Sequence, residues 1–143
     1  MKVENKTIII TDPCYLIPYN KDDDWDLCDY GESMYVLGFK NYESRNTIYG
    51  DWSCTVYEGE YTTVPDEKNT VLGGFTADAG MVGVFELDEV LKYNPDFNLY
   101  KESPWCVTII PDFTGEVNIE VIDEQVHVIG KGNINFFSIQ SGL

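Results

Sequence analysis

The sequence predicts an α+β domain that is mostly β, with a twisted antiparallel sheet folded towards a sandwich or partial barrel and one or two short helices. Three observations support this prediction. Residues 117–121 alternate apolar and polar side chains, which is the period of a half-buried strand. Short apolar runs in the middle of the chain are separated by glycines, as in antiparallel meanders. No repeat or low-complexity linker divides the 143 residues, so residues 1–143 are expected to form a single domain.

The first third of the chain combines a buried strand with an acidic stretch. The run KTIIITDPCYLI predicts a strand that is broken at Pro13, because proline lacks the N–H that a central strand donates. The stretch YNKDDDWDLCDYGE follows it. Its order is compatible with one amphipathic helical turn near residues 24–28, which the preceding aspartates would cap.

The middle of the chain predicts short strands and one helix. The runs SMYVLGF, TIYGDWSCTVYEG and EYTTV are apolar and bounded by turn residues, and GGFTADAGMVGVFEL is expected to carry another strand. The segment LDEVLKYN is the best helix candidate, since Asp88 or a neighbour suits its start and Pro95 lies just beyond its end.

The final third predicts a hairpin between two turns. PDFTG is expected to be a turn after WCVTII. Asp123 and Glu124 separate two alternating runs, which predicts a tight hairpin. The glycines of GKG at residues 130–132 predict a second turn, after which Ile134 and Phe136 return to the core side.

The net charge of −16, from 25 acidic and nine basic residues, limits the classes of partner. Direct nucleic acid binding is disfavoured, because its affinity comes from lysine and arginine neutralising phosphates. An acidic surface instead favours a cationic partner, which long-range attraction would steer towards it. The alternative is that the charge serves solubility alone.

The cysteines and the apolar runs indicate a cytoplasmic protein without a membrane segment. Cys14, Cys28, Cys54 and Cys106 form no CxxC pair, so neither a zinc ribbon nor a thioredoxin-like centre is expected. No run approaches the roughly 20 apolar residues that span a bilayer, and no signal peptide is evident. We expect reduced thiols, with Cys54 and Cys106 as small buried hydrophobic residues.

Two short motifs are candidate binding sites. In TDPCY, Asp12 and Tyr15 follow directly on an apolar strand. Asp12 is either a turn former that accepts main-chain N–H groups or a polar anchor at the mouth of a pocket, with Tyr15 beside it. In GGFTADAGMVG, small residues surround Asp78. Asp78 is either a hydrogen-bonded acid that caps a loop or an acid that faces a ligand.

A third candidate is the run KDDDWD at residues 21–26, where negative charge surrounds one large aromatic residue. Its spacing does not match an EF-hand loop. The alternatives are a solvated acidic loop and a recognition surface in which charge steers the partner and the aromatic ring anchors it. The candidate binding residues of this run are Asp22, Asp23, Asp24, Trp25 and Asp26.

The motifs TDPCY, GDWSCTVYEG and G-F-x-x-D-A-G, together with the closing VIGKGNINFFSIQSGL, resemble a set of small, uncharacterised β-rich proteins of bacteria and their phages. The resemblance extends loosely over most of the chain, although the acidic stretch at residues 20–32 is longer than the connection expected there. It implies a β-rich fold and residence on a phage or other mobile element, and it implies no catalytic residues.

Enzymatic patterns are mostly lacking. The single histidine, His127, lies in an alternating strand pattern, and GxSxG, HExxH and Walker-type loops do not occur. We therefore predict no cofactor and favour a non-enzymatic binding or inhibitory protein. It would act on a cationic host protein through its acidic surface, or sequester a small molecule in an aromatic-lined pocket. The alternative is a small hydrolase that uses Asp12 and Asp78, with or without a divalent metal.

Overall fold

The computed structural model describes residues 1–17, 38–47, 52–66, 68–78, 80–97 and 106–142. Strands make up 58% of these residues, which confirms the mostly β prediction. The elements in chain order are β1 (Lys2–Thr11), a 3₁₀ turn (Pro13–Leu16), β2 (Glu43–Asn46), β3 (Ser53–Glu58), β4 (Val71–Thr76), β5 (Met81–Glu86), α1 (Leu87–Tyr93), β6 (Val107–Ile122), β7 (Gln125–Gly132) and β8 (Phe136–Gly142).

The strands in the described part of the chain form one antiparallel sheet in the order β2-β5-β1-β6-β7-β8-β3-β4. The sheet curls so that β4 approaches the first half of β6, where the Thr108 hydroxyl donates a hydrogen bond to the Gly74 carbonyl at 2.9 Å. The curvature is therefore sandwich-like, as predicted, and the sheet does not close into a barrel.

Apolar side chains fill both faces of the centre of this sheet. Inside the curl, Phe113 and Phe136 pack edge to face with ring centroids 5.5 Å apart. On the opposite face, Phe85 and Val90 belong to a second cluster beneath α1. Strand β1 contributes to both clusters, so Ile8, Ile9 and Ile10 are all fully buried.

The helix prediction is confirmed. Helix α1 begins directly after Glu86 and carries Asp88 in its first turn. It ends before Asn94, which is the residue that precedes Pro95. Acidic residues suit the positive end of the helix dipole. The helical turn predicted near residues 24–28 lies outside the described residues. Among the described helices, none is long and apolar enough to cross a membrane.

Strand β1 ends where the sequence predicted, whereas the run GGFTADAGMVGVFEL forms parts of two strands. Strand β1 ends at Thr11, just before Asp12 and Pro13, and the 3₁₀ turn follows. The run GGFTADAGMVGVFEL contains the end of β4 and all of β5 rather than one strand. Gly80, at φ 73°, donates to the Ala77 carbonyl and so closes the turn between them.

The acidic hairpin turn is confirmed. Ile122 pairs with Gln125, so Asp123 and Glu124 form a two-residue loop, and both have positive φ values of 51° and 65°. Positive φ at both loop residues is the geometry that matches the twist of the flanking strands.

The turn predicted at PDFTG is wrong, because β6 runs through these residues without reversing. Asp112 has a φ of 49°, and the pairing of β1 with β6 shifts register in this region. The side chain of Asn133 donates to the Asp112 carbonyl and accepts from the Thr114 N–H, both within 2.9 Å. These bonds substitute for ladder bonds, so the strand bends instead of turning.

The turn predicted at GKG is also wrong, because β7 continues to Gly132 and the chain turns at residues 133–135. The glycines here permit close approach. A Cβ on Gly130 would lie 2.2 Å from the Phe136 ring, and a Cβ on Gly132 would lie 2.0 Å from the Thr114 carbonyl oxygen. The prediction that Phe136 returns to the core is confirmed, since it is fully buried, and Ile134 packs against the same cluster.

The strands predicted at EYTTV and SMYVLGF are not found in the described residues. EYTTV is not a strand. Instead, Tyr61 packs edge to face on His127 and Phe137, on the outer face of the sheet. Most of SMYVLGF lies outside the described residues, and its last residue, Phe39, is buried against Phe85 without being in a strand. The patterns TIYGDWSCTVYEG and WCVTII correctly predicted β3 and the start of β6.

Candidate functional site

Asp12 sits at the end of β1 and organises the turn that follows. Its carboxylate accepts the Cys14 N–H at 3.0 Å and the Met81 N–H at 3.3 Å, and the residue is fully buried. The first bond fixes the start of the 3₁₀ turn, and the second joins this turn to β5. Asp12 is therefore a positioning residue inside the protein.

Further hydrogen bonds hold the main chain of the connection between β4 and β5. Gly80 donates to the Ala77 carbonyl at 3.1 Å. The Gly80 carbonyl accepts from both the main-chain N–H and the hydroxyl of Thr47, at 2.8 and 3.0 Å. Ala77 in turn donates to the Trp52 carbonyl at 2.8 Å. Asp78 therefore projects from a connection whose main chain is held on both sides.

Tyr15 and Asp78 meet at this end of the sheet. The Tyr15 hydroxyl donates directly to the Asp78 carboxylate, although the two residues are 63 positions apart in the chain. Tyr15 is half-buried and Asp78 is exposed. The two motifs chosen from the sequence thus form one surface feature, which we call the phenol–carboxylate pair, Tyr15 and Asp78.

The charge of Asp78 has no cationic counterpart within the described residues. Ion pairs there join Met1 to Glu43, Lys6 to Asp88 and Lys92 to Glu89, and none includes Asp78. A carboxylate has two oxygens and can accept several hydrogen bonds. Accepting one bond from Tyr15 therefore leaves Asp78 able to bind an external donor.

The carboxylates of the groove beside α1 differ from Asp78, because two of them form ion pairs with lysines. It has a volume of about 440 Å³ and is lined in part by Lys6, Asp88, Glu89 and Lys92. Its carboxylates at Asp88 and Glu89 are already paired with lysines at 3.2 and 3.0 Å. The third carboxylate of the groove, Glu86, accepts a hydrogen bond from the side-chain amide of Asn41 at 3.0 Å.

The remaining predicted binding residues, Asp22, Asp23, Asp24, Trp25 and Asp26, lie outside the described residues, as does Cys28. Their sequence position is nonetheless informative. Asp22, the first aspartate of the acidic run, lies seven positions after Tyr15 in the chain.

Sequence reasoning missed the groups that hold the pair in place. The Met81 N–H and the Gly80 carbonyl are distant in sequence from Tyr15, and Thr47 is distant from both members of the pair. No local pattern marks Thr47, because its role depends on the pairing of β2 with β5. Gly80 alone carried a signal, as a glycine two positions after Asp78.

Metal-binding side chains do not converge in the part of the chain that the structure describes. No group of three or more His, Cys, Asp or Glu side chains there is arranged to hold a metal ion. His127 is buried, with Nδ1 2.8 Å from the Ser138 carbonyl oxygen. Asp12 and Asp78 have different surroundings, one buried against main-chain N–H groups and the other exposed.

The thiols follow the sequence prediction in part. Among the described residues, no disulfide joins Cys14, Cys54 and Cys106 to one another. Cys54 is buried in the inner cluster, as predicted, whereas Cys106 is only half-buried. Burial raises the pKa of the Cys54 thiol from 9.0 to about 12, because an apolar environment disfavours the thiolate.

This raised pKa predicts a pH dependence of stability. The neutral thiol is favoured in the folded state, so its contribution is complete below pH 9 and is lost as the pH rises towards 12. We expect the free energy of unfolding of the natural chain to fall relative to Cys54→Ala over this range, by about 1.4 kcal/mol per pH unit. Urea unfolding at several pH values measures it, and parallel curves for the two proteins would contradict it.

Known proteins provide no guide to this site. Comparison of the chain with protein-family models, with curated proteins and with solved structures finds no match.

Proposed function

We propose that this chain is a non-enzymatic binding protein of the cytoplasm that recognises a cationic surface on another protein and inhibits that protein by covering it. The observation that carries the proposal is the phenol–carboxylate pair, an exposed acid held in place by a tyrosine and lacking a cation among the described residues. With 25 acidic residues against nine basic ones, most of its carboxylates have no cation within the chain to pair with.

The acidic run and the phenol–carboxylate pair have different roles in the proposal. The acidic run at residues 21–26 raises the encounter rate by long-range attraction, which salt screens, and Trp25 adds an aromatic anchor. The phenol–carboxylate pair forms a short-range contact that slows dissociation. The resemblance to phage proteins favours a host protein as the target.

The test begins with capture of a partner from host lysate at low and high salt, followed by measurement of its binding kinetics. Asp78→Asn is expected to speed dissociation about thirtyfold or more, because truncating one side of a desolvated charge pair costs about 2 kcal/mol or more. Replacing Asp22, Asp23, Asp24 and Asp26 together by asparagine is expected to slow association and flatten its salt dependence.

The matched control is Asp123→Asn, which removes one exposed charge from the hairpin at the far end of β6. Asparagine tolerates the positive φ of this residue. If Asp123→Asn changes the kinetics as much as Asp78→Asn does, binding depends on total charge and the proposed site is wrong. Unchanged kinetics in the quadruple variant would remove the acidic run from the proposal.

A further inference from the structure

We propose that the phenol–carboxylate pair is a guanidinium site, so that the partner's anchoring side chain at this point is arginine rather than lysine. This inference rests on the proposed function and names the chemical group that the site receives. It depends on three features of the pair: the fixed position of the carboxylate, its charge, which no cation among the described residues neutralises, and the aromatic ring beside it.

The carboxylate of Asp78 is preorganised. Its orientation is fixed by the Tyr15 hydroxyl, and its main chain is held through Gly80 and Thr47. Tyr15 is itself fixed, because Asp12 accepts the Cys14 N–H and the Tyr15 N–H donates to the Asp12 carbonyl at 3.1 Å. A ligand therefore meets a formed site and loses little affinity to ordering it.

The ring beside the carboxylate distinguishes the two cationic side chains. Guanidinium is planar, is weakly hydrated, stacks on aromatic faces and donates several N–H bonds in one plane. It can therefore bond to the Asp78 carboxylate and also contact the half-buried Tyr15 side chain, whose hydroxyl donates to the same carboxylate. Ammonium is a compact, strongly hydrated charge, so it gains the ion pair but little from the ring.

Four other carboxylates within the described residues do not offer this combination. Asp88 and Glu89 are paired with lysines at 3.2 and 3.0 Å. Glu43 is bound to the Met1 ammonium at 2.9 Å. Asp12 is fully buried behind its main-chain partners.

The experiment titrates the full chain with acetyl-Gly-Arg-Gly-amide and, separately, with acetyl-Gly-Lys-Gly-amide, and follows backbone amide shifts by NMR. The arginine peptide is expected to shift the signals of Tyr15, Asp78 and Met81 saturably and to bind about three- to fivefold more tightly than the lysine peptide. Asp78→Asn should abolish these shifts. Tyr15→Leu should remove the preference for arginine, whereas Asp123→Asn should change nothing.

Equal affinity for the two peptides, or shifts spread evenly over the acidic surface, would overturn the guanidinium site. That failure is distinct from failure of the proposed function, because the kinetics of the captured partner depend on Asp78 whichever cation it presents. Amide shifts of Tyr15→Leu without peptide show whether the variant is folded. If it is not, Tyr15→Phe replaces it: this variant keeps the ring and loses the hydroxyl, so it should retain a preference for arginine at reduced affinity, and loss of that preference would overturn the site.

Discussion

Replacing Phe136 with alanine is expected to lower the free energy of unfolding by about 3–5 kcal/mol. Phe136 is fully buried, its ring packs edge to face on Phe113 at 5.5 Å, and it lies directly over the main chain of Gly130. Because Gly130 has no side chain, it cannot fill the space that the ring would leave. The loss is a large fraction of the roughly 5–15 kcal/mol that stabilises an ordinary domain.

Urea unfolding measures this effect as a lower midpoint with an unchanged slope. Val64→Ala is the matched control, since Val64 is 77% exposed and its truncation should change stability by no more than about 0.5 kcal/mol. A Phe136→Ala variant as stable as Val64→Ala would show that the inner cluster is not packed as the structure has it.

Replacing Asp12 with alanine is expected to cost about 2–6 kcal/mol and to disorganise the phenol–carboxylate pair. The substitution leaves the N–H groups of Cys14 and Met81 buried without the acceptor they have now, and each unsatisfied buried donor costs about 1–3 kcal/mol. Asp12→Asn keeps one acceptor oxygen, so its cost should be intermediate. Asp78→Asn, at an exposed position, should cost about 0.5 kcal/mol or less.

Amide hydrogen exchange shows where the Asp12 substitution acts. The Cys14 and Met81 amides should exchange faster in Asp12→Ala, while amides of the hairpin between β6 and β7 should change only with global stability. If Asp12→Ala unfolds at the same urea concentration as the natural chain, the carboxylate does not hold β1 to β5. The preorganisation argued for Asp78 would then be wrong as well.

Local sequence patterns predicted the structure correctly where the conformation of a segment depends mainly on its own residues. Strand β1 ended just before Asp12 and Pro13, α1 carried Asp88 in its first turn and ended before Pro95, and Asp123 with Glu124 made a two-residue turn between alternating strands. Each outcome depends on a missing N–H, a favoured cap region or a two-residue period, which are properties of the segment itself.

The same rules failed where glycine and proline respond to a neighbouring strand. PDFTG and GKG have the composition of turns, but Asn133 supplies hydrogen bonds to the bend in β6, and the Phe136 ring requires Gly130 to lack a side chain. Glycine permits both a turn and a close approach. The identity of the approaching group comes from strand pairing, which the local pattern does not contain.

For the candidate site, the sequence by itself determined that Asp12 and Tyr15 directly follow an apolar strand, that small residues surround Asp78, and that the chain has a large excess of negative charge. Only the tertiary structure decided that Asp12 is buried as a positioning residue while Tyr15 and Asp78 meet at the surface. The physical reason is the antiparallel pairing of β1 with β5, which matches Thr11 to Gly83 and so brings the end of one strand beside the start of the other. A contact across 63 residues depends on that register, which arises from the packing of the whole sheet.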